Sequence, residues 1–187
     1  MTQTGRLMEG KRGLIMGVAN ERSIAWGIAK AVSDQGAKLA FTYQNDALGK
    51  RVRPLAEQTG SDLVIQCDVS DGSSIDSVMA AVNDSWGGLD FAVHAIAYSD
   101  KDELKGRYVD TSPENFQLSM NISCYSFTAL CKRAAPLMTD GGSLLTLTYS
   151  GAERVMPHYN VMGVVLSLIH ISEPTRPERI GCAGVWV

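Results

Sequence analysis

Apolar residues in this chain fall into short continuous runs separated by longer stretches with helical spacing. Residues 11–16, 39–43, 63–67, 89–96 and 143–148 read as five strands. Between them, residues 23–35 place Ile24, Ile28, Ala31 and Val32 on one face, and Gly36 suits the helix C-terminus. Residues 47–58 and 73–86 read as two further helices, ending near Gly60 and at Gly87-Gly88. A polar stretch, 99–110, precedes Pro113, which suits the first turn of a long helix running to about Met138. Strands alternating with helices predict an α/β fold with a doubly wound parallel sheet, Rossmann-like, joined by right-handed crossovers. Ligands of such sheets bind beyond the carboxyl ends of the strands, where strand order reverses.

The residues just after each strand carry the candidate chemistry. The first strand runs into Gly17, and Ser23 and Ile24 follow at a helix start. Gly17 permits a sharp turn and close approach of a ligand. Free N–H groups and the helix dipole at Ser23 and Ile24 favour a pyrophosphate, and Gly27 is read as permitting close helix–sheet packing. At the end of the second strand stands Gln44, a neutral group able to hydrogen-bond a ribose, with no arginine directly there for a 2′-phosphate. That mildly favours NADH over NADPH. Lys50, Arg51 and Arg53 read as a solvated helix face. Asp68-Val69 follows the third strand; Asp68 either accepts from an adenine amino group or caps the next turn. Ile96 ends the fourth strand, where a nicotinamide-side ribose would lie, and His94 reads as a core residue.

Tyr149 ends the fifth strand and Tyr159 opens a helical segment. A phenol can donate to an oxygen that gains negative charge in a reaction. The helical pattern is read as collapsing after about Val164, and no lysine follows Lys132.

Composition narrows the class. The chain has 187 residues, 45% hydrophobic and 20% charged, as in a globular protein. A net charge of -3 gives no reason to expect nucleic acid or an anionic membrane as partner. No secretory signal and no membrane-length apolar run is visible. Cys67, Cys124, Cys131 and Cys182 have no metal-binding or redox spacing and read as small buried thiols of a reducing, cytoplasmic compartment.

Together, Gly17-Val-Ala, Ser23-Ile24-Ala, Phe41-Thr-Tyr-Gln44-Asn-Asp, Gln66-Cys-Asp68-Val69, Tyr125-Ser-Phe127, Gly151-Ala-Glu-Arg154 and Tyr159-Asn-Val-Met-Gly163 closely resemble the NADH-dependent enoyl-acyl-carrier-protein reductases of bacterial type II fatty-acid synthesis. These form a divergent branch of the short-chain dehydrogenase/reductases. The resemblance implies NADH as cofactor, held by Gly17, Ser23, Ile24, Gln44, Asp68, Val69 and Ile96. It places Ser99 near a thioester substrate on acyl carrier protein and makes Tyr149 and Tyr159 the active-site pair. Reduction of a trans-2-enoyl thioester builds negative charge on the thioester oxygen. Tyr159 would donate to that oxygen, a contribution on the order of 3 kcal/mol, while Tyr149 positions the acyl group or assists protonation. A homotetramer is implied for the intact enzyme.

The family's lysine, seven residues beyond the second tyrosine, is here Leu166. Seven residues are two helical turns, so the missing ammonium would have faced the phenol. Residues 1–164 are therefore read as the N-terminal part of the reductase domain, and 165–187 as an unrelated tail. Residues 168–176 look similar to translated cloning or adaptor sequence. The sheet is expected to be incomplete at the C-terminus, leaving the fifth strand near an open edge, with poor folding and impaired or absent activity. Two other readings are a 3-oxoacyl thioester reductase, with Asn121 in its catalytic set, and a non-catalytic nucleotide-binding remnant.

Overall fold

The computed structural model describes residues 6–171 and 184–186. The elements are β1 (Arg12–Met16), α1 (Ile24–Asp34), β2 (Lys38–Tyr43), α2 (Asp46–Gln58), β3 (Val64–Gln66), α3 (Gly72–Trp86), β4 (Phe91–His94), α4 (Pro113–Met120), α5 (Ser126–Ala134), β5 (Ser143–Thr146), α6 (Asn160–Ile171) and β6 (Gly184–Trp186). The sheet order is β3-β2-β1-β4-β5-β6. β1 to β5 are parallel, with the reversal of strand order between β1 and β4.

Strand alternation divides the core into two apolar layers. Leu14, Met16, Ala40, Ala92 and Leu144 join α3 and α5 side chains such as Ile75, Val78 and Leu130 in one. Ile15, Phe41 and Val93 join Trp26, Ala29, Val52 and Leu55 of α1 and α2 in the other. Both faces of the central strands are buried, which is why these strands read as continuous apolar runs rather than alternating ones. Helix starts are set by short polar side chains: Asn45 accepts from the Leu48 N–H, Asp71 from Ser73, and Ser112 from Asn115.

Four expectations are corrected. The helix read as continuous from Pro113 to Met138 is divided: Asn121–Tyr125 widens into a π-helical turn between α4 and α5, and Ala135–Leu137 is a 3-10 turn. The helix opened by Tyr159 does not collapse at Val164 but runs on to Ile171. Val165, Leu166 and Ile169, at helical spacing, are buried, and that burial carries the helix onward. The fifth strand does not face open space, because Gly184–Trp186 pairs antiparallel with it, Leu144 opposite Val185. Gly27 is not a packing glycine, since a Cβ there would meet nothing within 4 Å. The proposed adaptor-like stretch 168–176 and Cys182 lie largely or wholly outside the described residues. Among the described residues, no helix is long and apolar enough to cross a membrane.

Candidate active site

At the strand-order reversal, the carboxyl ends of β1, β2, β3 and β4 enclose a cleft of about 610 Å3. Gly17, Gln44, Asp68, Val69 and Ile96, five of the residues singled out for a nucleotide, all line it. Gly17 has φ +95, and a Cβ there would strike the Ala95 carbonyl oxygen. Only glycine combines that conformation with that approach, so the turn after β1 is kept open for a ligand lying across the strand ends. Ser23 and Ile24 stand outside the cleft wall. The Ser23 hydroxyl accepts from the Ala19 and Asn20 N–H groups, both 3.0 Å away, and so shapes the turn instead of capping α1. Ile24 opens α1 with its side chain 68% exposed.

Asp68 is held in an Asx turn. Its Oδ1 accepts from the Ser70 N–H at 2.9 Å and the Ser70 hydroxyl at 2.7 Å. These bonds, with a further one from Gln44, hold its carboxyl below the usual carboxylate range. The cap of α3 is Asp71, so Asp68 keeps one face toward the cleft. The Gln44 carbonyl accepts from Gln66 Nε2 at 3.1 Å, which ties the ends of β2 and β3 together. Arg53 is not simply a solvated helix residue: its guanidinium lies 5.2 Å from the Tyr43 ring centroid and donates to the Tyr43 hydroxyl at 2.9 Å. Cys67 forms part of the cleft floor, and burial pushes its thiol up to about 11, so it is an apolar wall rather than a nucleophile.

The two tyrosines meet. Their ring centroids are 5.0 Å apart with planes tilted by 56°. The 3-10 turn Ser150–Ala152 brings Gly151 beneath both rings: a Cβ on Gly151 would lie 2.5 Å from Tyr159 Cδ1 and 3.1 Å from Tyr149 Cδ1. The same glycine's carbonyl oxygen would lie 2.7 Å from a Cβ on Gly163, so α6 approaches this turn backbone to backbone. Tyr149 is 48% exposed, while Tyr159 is half-buried. Burial, and then the neighbouring Tyr149, push the Tyr159 phenol above its ordinary value, so it keeps its proton at neutral pH. Leu166 occupies the position two turns further on. It is 3% exposed, in a cluster with Met162 and Ile169 against which Tyr159 and Leu104 pack. The face of Tyr159 that a cation would serve is therefore apolar.

Tyr159, Gly151, Asn160 and Gly163 line a second groove, of about 440 Å3, separate from the nucleotide cleft. Ser99 lines neither; its hydroxyl faces Asn115. His94 is wholly buried, with Nδ1 3.1 Å from the Thr146 hydroxyl and Nε2 2.8 Å from that of Ser126. Asn121 lies in the π-helical turn. Sequence reasoning quoted Gly151 within a motif without giving it a role, and missed Ser70 and Asn115. For Ser70 a signal was present, because Asp-x-Ser is the spacing of an Asx turn.

A model of the enoyl-(acyl carrier protein) reductase family matches residues 17–170. Enoyl-(acyl-carrier-protein) reductase (NADH) 2 of Rhizobium meliloti is 58% identical over 181 residues, 97% of this chain and 68% of that protein. The crystal structure of the Anaplasma phagocytophilum enoyl-(acyl-carrier-protein) reductase in complex with NAD matches with a TM-score of 0.88 and 60% identity, covering 90% of this chain and 64% of that one. That of the Bacillus cereus enoyl-acyl carrier protein reductase with NADP+ and an indole naphthyridinone matches with a TM-score of 0.86 and 44% identity, covering 89% and 65%. The chain thus spans about two thirds of the length of these relatives.

Proposed function

The chain belongs to the enoyl-(acyl carrier protein) reductase family, and on that premise we propose that it carries the NADH-binding half of a trans-2-enoyl-acyl-carrier-protein reductase together with its two tyrosines. The observation that carries this reading is the cleft built by Gly17, Gln44, Asp68, Val69 and Ile96 at the reversal of strand order. Gly17 leaves a cradle that any side chain would fill, which suits a dinucleotide backbone passing over the strand ends. Gln44 would meet the adenosine ribose, Asp68 and Val69 the adenine, and Ile96 the nicotinamide side; Ser23 and Ile24 would offer the N-terminus of α1 to the pyrophosphate. Bound NADH would supply the hydride.

Tyr159 would hold its proton against the thioester oxygen as negative charge grows there. Its raised pKa suits a donor that stays neutral until that charge develops. Tyr149, more exposed, would position the acyl group or assist protonation, and Ser99, whose hydroxyl is taken up by Asn115, would lie near the thioester through its backbone. A substrate on acyl carrier protein, a tetrameric assembly and a cytoplasmic setting belong to the same proposal. So does the division into a reductase part, 1–164, and a tail, 165–187.

A second reading, cofactor binding without turnover, is favoured by Leu166, because an apolar residue neither anchors the nicotinamide ribose nor supports a phenolate. Two measurements on the 187-residue chain separate the readings. NADH titration by fluorescence is expected to saturate, and enoyl-thioester-dependent NADH oxidation is expected to be far below a normal enzyme rate. Failure to bind NADH would defeat both readings, and preferential turnover of a 3-oxoacyl thioester would replace them.

A further inference from the structure

We propose that segment 98–106 is a strut between α4 and α6 with Glu103 as its joint, and that Glu103 and Asn160 are positioning residues that hold Tyr159 in place; the proposal rests on the reductase reading above. The α4 end of the strut is built on Asn115, only 5% exposed. Its Oδ1 accepts from the Asp100 N–H at 2.9 Å, and its Nδ2 donates to the Ser99 hydroxyl at 3.2 Å and to Glu103 Oε2 at 3.3 Å. The Glu103 carboxylate also accepts from the Ser112 N–H at 2.8 Å and the Ser112 hydroxyl at 2.7 Å. Ser112 is the residue that caps α4, so Glu103 is fastened to the start of that helix through both oxygens. From the π-helical turn, the Ser123 hydroxyl accepts from the Tyr98 N–H at 2.8 Å and donates to the Tyr98 carbonyl at 3.0 Å.

The other end of the strut rests on α6. Leu104 packs into the cluster of Met162, Leu166 and Ile169. Asn160 Nδ2 donates to the carbonyls of Glu103 and Gly106, each at 3.3 Å. Asn160 stands at φ 27, in the left-handed region that asparagine tolerates better than most residues, and it directly follows Tyr159. Glu103 thus joins the helix cap on one side, through its carboxylate, to the residue after the candidate proton donor on the other, through its carbonyl. A loop after a strand is ordinarily the mobile part of such a fold. Here it is tied at both ends, and one tie lies beside the reacting phenol.

The test uses the 187-residue chain without substrate, so its outcome is independent of whether the chain turns over. Tyrosine is labelled with carbon-13 at Cζ, and the Tyr159 signal is assigned by its loss in Tyr159→Phe. Asn160→Gly keeps the backbone conformation and removes the amide. Glu103→Ala removes the joint, and Glu103→Gln keeps one acceptor. Asn160→Gly and Glu103→Ala are expected to move the Tyr159 titration down toward the ordinary tyrosine value, with Glu103→Gln between Glu103→Ala and the parent. Amide exchange across 103–106 is expected to rise about fivefold or more, at least the equivalent of one of the two hydrogen bonds that Asn160 makes. An unmoved Tyr159 titration in Asn160→Gly, with faster exchange in the segment, overturns the proposal and leaves the segment an ordinary loop. Should Glu103→Ala not fold, Asn160→Gly decides alone, because it alters only a partly exposed helix start.

Discussion

The Tyr149 and Tyr159 rings lie 5.0 Å apart because the residue between their chain segments, Gly151, has no side chain. The two phenols come from different elements, one just beyond β5 and the other just before α6, and the close approach of Gly151 to Gly163 helps bring those elements together, with Ala152 packed on the Met162–Ile169 cluster and the Thr148 hydroxyl 3.0 Å from His170 Nε2. Gly151→Ala is expected to push the Tyr159 ring aside. Loss of the aromatic pair and the overpacking should together cost about 2 kcal/mol. Urea unfolding reads the loss, and disappearance of the inter-ring NOE reads the separation; an intact NOE would show that the turn can absorb the methyl.

Leu166 gives an opposed pair of outcomes in one variant. Leu166→Lys removes a 3% exposed apolar side chain from the Met162–Ile169 cluster and places an ammonium there, with an expected cost of about 2 to 4 kcal/mol. The same ammonium, in the cluster against which Tyr159 packs, favours the phenolate and should lower the phenol's titration from its raised value. Stability and titration are measured on the same sample. A destabilised variant whose Tyr159 titrates as before would mean that the lysine has turned out to solvent, and that a cation at this position does not by itself serve the donor.

In the cleft, Asp68 is the charged group whose loss should be felt first. Asp68→Ala removes the acceptor of two Ser70 bonds and the bond from Gln44, loosening the turn as well as the adenine wall. NADH affinity, followed by fluorescence, is expected to fall about tenfold. An unchanged affinity would assign the residue to the turn alone.

Much of this arrangement is legible in the sequence where one residue's chemistry acts locally. Gly17, Gln44, Asp68 and Val69 sit just after strands, and the alternation of runs and helices alone predicts that such positions share one edge. Other features depend on what a residue meets across the fold. The π-helical turn at Asn121–Tyr125 leaves no mark in the hydrophobic spacing, and the partners that draw Ser123 to Tyr98 are 25 residues away. Asn115 looks like any polar helix residue until its amide is seen holding Ser99, Asp100 and Glu103. The end of α6 is legible in the spacing itself: Val161, Met162, Val165, Leu166 and Ile169 keep helical spacing straight through Val164. The missing lysine and the later prolines draw attention away from that continuity. Gly27 shows the opposite error, a glycine credited with a packing role that its open surroundings do not require.

His94 provides the sharpest pH prediction. Its ring is wholly buried beside Phe127, between the hydroxyls of Thr146 and Ser126. Those hydroxyls also face backbone acceptors, Thr146 the His94 carbonyl and Ser126 that of Ile122. A doubly protonated ring could therefore donate to both oxygens, but burial opposes its charge more strongly, and the imidazole is pushed down to about 4. The unfolded chain binds this proton near pH 6.5, so the fold holds fewer protons than the unfolded state throughout the interval. The associated stability is fully present above pH 6.5 and is lost as pH falls toward 4. The depressed carboxyls, Asp68, Asp76, Asp90 and Glu103, lose theirs only as pH drops through the ordinary carboxylate range, and His158 and His170 are exposed. Between pH 7 and pH 5 the decline is therefore expected to come from His94, about 2 kcal/mol. Urea unfolding at the two pH values measures it. His94→Gln, which can still donate to one hydroxyl and accept from the other, should lower stability at pH 7 and abolish the decline; a decline that survives this substitution would place its origin elsewhere in the fold.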